Sequence, residues 1–108
     1  MMLVCKQPDG KETKIRLKPL SHAPAVSIGR GKEATICLED PKCSRVHCAI
    51  RYWDDIFIIR DMNSSNGTFV NDKKIEVSKL SPGDTVRIGG TTFKLEPEET
   101  STDVTMNG

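Results

Sequence analysis

No stretch of this 108-residue chain sustains a 3.6-residue apolar period, and turn-forming residues recur every few positions. A helix without an apolar stripe has no face to bury, so helices are a poor description of this chain. It offers short runs that alternate every second residue. Thr13 to Lys18 sets Ile15 and Leu17 against Lys14, Arg16 and Lys18. Val26 and Ile28 share a phase, as do Ile36 and Leu38. Val46 to Trp53 and Ile56 to Arg60 flank Asp54-Asp55, and Thr68 to Val70 runs into Asn71-Asp72. Both are two-residue hairpin signals whose residues tolerate a left-handed backbone. Leu3 to Gln7 is read as a strand before the turn Pro8-Asp9-Gly10, and Ser81-Pro82-Gly83-Asp84 marks a further reversal. Val86 to Ile88 and Thr92 to Leu95 pair around Gly89-Gly90.

Many short strands between frequent turns predict an all-β chain, either a sandwich or a closed barrel. Two sheets would bury Ile15, Leu17, Val26, Ile28, Ile36, Leu38, Cys48, Ile50, Phe57, Ile59, Val70, Val86, Ile88 and Phe93. No internal repeat interrupts this pattern. Residues 1–96 are expected to form one domain and 97–108 a flexible polar tail with almost no apolar side chains.

Charge divides along the same line. All 16 Lys and Arg precede residue 96, while Glu96, Glu98, Glu99 and Asp103 lie at the end. The body is therefore mildly basic, which suits an acidic partner as well as plain solubility. No apolar leader precedes Cys5, Cys37, Cys43 and Cys48, and no run approaches the length of a membrane helix. The expectation is an intracellular protein, cytoplasmic or nuclear, with no membrane role. The cysteines lack CxxC pairing, so no metal is expected, and Cys48 reads as a small buried hydrophobe. Asn63-Ser64-Ser65 and Asn66-Gly67-Thr68 match the glycosylation sequon but lack a secretory context.

Three clusters sit where strands should meet loops: Ile28-Gly29-Arg30, Ser44-Arg45-Val46-His47, and Asp61 through Asn71. They supply a guanidinium, hydroxyls, an amide and a tight glycine turn. Arginine offers a planar fork of donors to an anion, serine a short donor, and asparagine a donor and an acceptor for a peptide main chain. Gly67 lets the chain turn sharply behind Asn66.

In these residues the chain resembles the forkhead-associated domain, a reader of phosphothreonine peptides. The matching positions are Ile28-Gly29-Arg30, Asp40, Ser44-Arg45-x-His47, Asp61-x-x-Ser64-x-Asn66-Gly67-Thr68-Phe69-Val70-Asn71, Gly83-Asp84 and Ile88-Gly89. The resemblance implies a β-sandwich of two twisted, mainly antiparallel sheets with about eleven short strands and binding loops gathered at one end. It implies that Arg30 and Ser44 bind the phosphate, that Arg45 contacts the phosphate or the peptide backbone, that Ser65 lines the phosphate pocket, and that Asn66 bonds to the peptide backbone. Gly29, His47, Ser64 and Gly67 would support the site. Asn63, Cys43 and Asp72 depart from residues common in the family, and none of them removes a phosphate contact.

The implied function is a signalling module that recruits a phosphothreonine-containing protein, either a Ser/Thr kinase substrate or an autophosphorylated kinase. No catalysis and no cofactor are expected. One rival is a small hydrolase using Ser44, His47 and Asp61, although no G-x-S-x-G elbow exists. The other is a nucleic-acid-binding β domain that stacks bases on Tyr52 and Trp53. It has no accompanying signature, so no nucleic acid is expected. Thr100, three residues before Asp103, raises self-association through its phosphorylated form.

Overall fold

The computed structural model describes residues 1–20 and 23–97. Eleven strands run in chain order: β1 Met2–Lys6, β2 Glu12–Arg16, β3 Val26–Gly29, β4 Ile36–Cys37, β5 Cys48–Trp53, β6 Ile56–Asp61, β7 Thr68–Val70, β8 Lys73–Ile75, β9 Val77–Leu80, β10 Thr85–Ile88 and β11 Thr91–Glu96. They form a six-stranded sheet in the order β2-β1-β11-β10-β7-β8 and a five-stranded sheet in the order β4-β3-β5-β6-β9. Strand pairing is antiparallel except where β3 meets β4. The fold is the expected all-β sandwich.

Alternation fixes the register. Leu3, Cys5, Val86, Ile88, Phe93 and Leu95 face inward from the first sheet, and Ile28, Cys48, Ile50, Phe57, Ile59 and Leu80 from the second. Burying each large aliphatic or aromatic side chain contributes about 1.5–3 kcal/mol. A one-residue slip would turn that whole set to solvent, so the register is strongly specified. Two expected core residues, Ile15 and Val26, are only partly buried against this cluster. Ile15 lies on β2, an edge strand, where cover comes from one side only. Leu3, Cys5, Cys43, Leu80 and Leu95 join the core beyond the sequence expectation.

The hairpin signals are realised in the backbone. Asp54 (φ 53°) and Asp55 (φ 67°) link β5 to β6, and Asn71 (φ 50°) and Asp72 (φ 69°) link β7 to β8. Two consecutive left-handed residues give the turn twist that matches the flanking strands. Asn63 is also left-handed, at φ 60°.

The loops β3–β4, β4–β5, β6–β7 and β10–β11 gather at one pole. Ser65 N–H donates to Ser44 Oγ, and Gly90 N–H to Asp40 Oδ2. β11 starts at that pole and runs away from it, so Glu96 lies at the other end of the sandwich.

Candidate functional site

The site starts from a close backbone approach. Arg30 N–H donates to Ser44 O at 3.0 Å, and Gly31 N–H to Arg45 O at 3.0 Å. These bonds continue the edge of β3 along the β4–β5 loop and set Arg30 beside Ser44. Only glycine fits at position 29, because a Cβ there would lie 2.2 Å from Arg45 O. The Arg30 guanidinium is exposed and has no hydrogen-bond or ion-pair partner among the described residues.

His47 is fully buried behind the loops. Its Nδ1 accepts the Ser44 N–H at 3.0 Å, and its Nε2 lies 2.8 Å from Gly67 O. A carbonyl only accepts, so the ring proton sits on Nε2 and donates to Gly67. One imidazole thus ties the Ser44 loop to the Asn66-Gly67 turn. Ser44 Oγ accepts the Ser65 N–H at 3.0 Å, which leaves its own hydrogen available to a ligand. Asn66 is exposed; its Nδ2 donates to Lys42 O at 2.7 Å, while Oδ1 has no hydrogen-bond partner among the described residues.

Asp61 organises the β6–β7 loop. Its Oδ1 accepts the hydroxyls of Ser64 and Thr68, and its Oδ2 accepts the Ser64 N–H. Ser64 Oγ in turn accepts the Gly67 N–H at 3.0 Å. Burial pushes the Asp61 carboxyl up, but the bonds from Ser64 and Thr68 outweigh it and hold the group below the usual aspartate value. Asp40 does the equivalent work for the β4–β5 loop. Its Oδ2 accepts Gly90 N–H at 2.9 Å and Thr91 Oγ1–H at 2.6 Å, and its Oδ1 accepts Lys42 N–H at 3.0 Å. Burial again raises the carboxyl, and these donors lower it further than burial lifts it.

Arg45 is already engaged. Its Nε and Nη2 form a forked pair with Glu33 at 3.0 and 2.8 Å. The Glu33 carboxyl is held below its ordinary value, first by that hydrogen bond and also by the nearby Arg30 charge. The β3–β4 loop therefore supplies its own anion to one of the site's two arginines.

The residues that the resemblance assigns to phosphopeptide binding all lie at this pole: Arg30, Ser44, Arg45, Ser65 and Asn66 on the loop tips, with Gly29, His47, Ser64 and Gly67 behind them. Glu33, Asp40 and the Lys42 carbonyl were not foreseen as partners. Their contacts span 12, 51 and 24 residues, and no local pattern encodes them.

The hydrolase arrangement is not formed. Both His47 nitrogens are committed to Ser44 N–H and Gly67 O, and neither meets the Ser44 hydroxyl. Asp61 serves Ser64 and Thr68. A shared base-stacking platform is also absent. Tyr52 packs edge-on against Phe57 at 4.9 Å, while Trp53, the next residue on β5, projects from the opposite face and is 55% exposed. Among the described residues no group of His, Cys, Asp and Glu could hold a metal, and all four cysteines are free. No helix among the described residues is long and apolar enough to cross a membrane.

Known proteins share this architecture. The FHA domain family model matches residues 26–89. FhaA of Mycobacterium tuberculosis, an FHA domain-containing protein, is 40% identical over 62 residues, which are 57% of this chain and 12% of FhaA. The oxoglutarate dehydrogenase inhibitor of Corynebacterium diphtheriae is 41% identical over 66 residues, 61% of this chain and 46% of that protein. The chain thus spans less than half the length of either relative. A structure from a study of phosphothreonine-dependent FHA domain interactions has a TM-score of 0.72 at 28% identity, covering 91% of this chain and 98% of that one. The FHA domain of a Chlamydia trachomatis protein has a TM-score of 0.77 at 27% identity, covering 91% and 99%. With this sandwich, these loops and these matches, the chain belongs to the FHA domain family, non-catalytic interaction modules that bind phosphothreonine peptides.

Proposed function

We propose that this chain recruits a phosphothreonine-containing protein through the pole built by the β3–β4, β4–β5 and β6–β7 loops. Arg30 and Ser44 grip the phosphate, Ser65 lines its pocket, and Asn66 holds the peptide main chain through its open Oδ1. Arg45 joins the phosphate contacts once Glu33 releases it. Gly29, His47, Ser64 and Gly67 keep these groups in place. The observation that carries this reading is the pairing of an exposed guanidinium, without a hydrogen-bond or ion-pair partner among the described residues, with a hydroxyl that already accepts the Ser65 N–H. A dianion with three acceptor oxygens suits both donors.

The partner is a Ser/Thr kinase substrate or an autophosphorylated kinase, met inside the cell, where four free thiols persist. Residues 1–96 form the binding domain and 97–108 an appended tail. Thr100 lies outside the described residues. Phosphorylated Thr100 would be a ligand for the pole of its own or of a second copy.

The test is calorimetric titration with a phosphothreonine peptide and its unmodified twin, against wild type and Arg30→Ala. Charge-assisted hydrogen bonds contribute about 1.5–3 kcal/mol each. Arg30→Ala is expected to weaken the phosphorylated ligand about 10- to 100-fold. Equal affinity for both peptides refutes the reading.

A further inference from the structure

The outer face of the six-stranded sheet carries a row of cations directly beneath the binding loops. Register places Glu12, Lys6, Thr92, Arg87, Phe69 and Lys74 side by side across all six strands. Their strand neighbours Cys5, Phe93, Val86, Ile88 and Val70 are buried, so this row points outward. Lys6, Arg87 and Lys74 are exposed. None of the three has a carboxylate partner among the described residues. A second row adds Lys14 and Lys94 on either side of Val4. The one acid in the first row, Glu12, lies on the outermost strand.

The row is joined to the loop pole. Lys74 packs on the Asn66-Gly67 turn, its Cε 3.0 Å from where a Cβ on Gly67 would stand. Thr68, Ile88 and Thr91 separate the row from the loops by one residue. Lys6, Arg87 and Lys74 occur on alternate strands, about 10 Å apart. An extended or polyproline-like peptide advances about that far in three residues.

We propose that this ledge holds an acidic segment of the same protein whose phosphothreonine occupies the loops. The ligand class is thus a phosphothreonine followed or preceded by a run of carboxylates. The proposal rests on the phosphothreonine reading above and extends it. Charge complementarity and continuity with the loops both point to such a segment. Nucleic acid is the poorer occupant. The aromatic ring in the row, Phe69, already carries the guanidinium of Arg87 over one face at 4.4 Å, and no second aromatic stands in the row to extend a stack.

The test uses fluorescence anisotropy at low salt with short labelled peptides. One carries phosphothreonine in Ser/Ala/Gly flanks. Two more carry a glutamate run after or before it, and their unphosphorylated twins complete the set. Proteins are wild type, a Lys6→Ser, Arg87→Ser, Lys74→Ser triple variant, and an Arg51→Ser, Arg60→Ser, Lys79→Ser triple variant. The second triple removes the same charge from the outer face of the other sheet, and thermal melts confirm that both fold. One acid-flanked phosphopeptide is expected to bind roughly tenfold tighter than the neutral one. The ledge triple should abolish that gap, and the other triple should leave it in place. Equal loss of the gap in both triples, or no gap in wild type, overturns the ledge while the neutral phosphopeptide still binds. If no phosphopeptide binds, or phosphate makes no difference, the reading of the loops fails and the ledge falls with it.

Discussion

Gly29→Ala tests how the site is assembled. The new methyl would stand 2.2 Å from Arg45 O and 2.7 Å from Ser44 O, both backbone atoms that cannot swing aside. Restoring ordinary contact requires β3 and the β4–β5 loop to separate by about 1 Å. That movement strains or breaks the Arg30–Ser44 and Gly31–Arg45 bonds, both 3.0 Å. Two backbone bonds at about 0.5–1.5 kcal/mol each, added to overpacking of about 1–3 kcal/mol, give a loss of about 2–6 kcal/mol. Urea unfolding should show the midpoint falling by at least about 0.7 M at ordinary m-values. Gly10→Ala is the control. Its φ of +90° makes alanine strained, but nothing lies within 4 Å of the added carbon. It should cost only about 1–2 kcal/mol and leave phosphopeptide affinity unchanged. A Gly29→Ala protein with a wild-type midpoint and affinity would refute the close-approach argument.

His47→Ala should destabilise the fold by about 3–5 kcal/mol, because Ser44 N–H and Gly67 O lose their shared partner and a cavity opens; urea midpoints measure it. Asp40 and Asp61 have folded-state pKa values below the ordinary 3.8, so the folded state binds their protons more weakly than the unfolded chain does. Their contribution is complete at pH values well above 3.8 and is lost as pH falls through and below it, a decline that Asp61→Asn should flatten in a series of midpoints against pH. Glu33→Gln should release Arg45 and tighten phosphopeptide binding in a titration, whereas an unchanged or weaker affinity would place Arg45 outside the phosphate contacts. A thiol reagent should label exposed Cys37 at once and reach Cys5, Cys43 and Cys48 only on unfolding. Burial pushes Cys5 up to about 11, Cys43 to about 12 and Cys48 higher still, keeping those thiols protonated.

Alternation and turn chemistry made most strands legible. Asp54-Asp55 and Asn71-Asp72 marked their hairpins because few residue types accept two successive left-handed positions. Strand β9 was hidden. Val77-Ser78-Lys79-Leu80 has no apolar alternation, and Val77 is 49% exposed while only Leu80 reaches the core. Pairing with β6, not its own pattern, makes it a strand. The residues that fill the pole were legible as motifs at strand ends, but their engagement was not. The resemblance names Arg45 as a ligand contact, and only the fold shows Glu33 already paired with it. Asp40 matched the family pattern with no role attached, yet it clamps Gly90 and Thr91 some fifty residues away.

In this reading one phosphate is caught at one pole of the sandwich. The most direct measurement is a backbone amide NMR titration with a phosphothreonine peptide and its unmodified twin. The phosphorylated ligand should shift Arg30, Ser44, Ser65 and Asn66 and leave the Asp54-Asp55 hairpin at the far end in place, while the twin shifts none of them. Shifts centred on that hairpin, or matching shifts from both ligands, would contradict it.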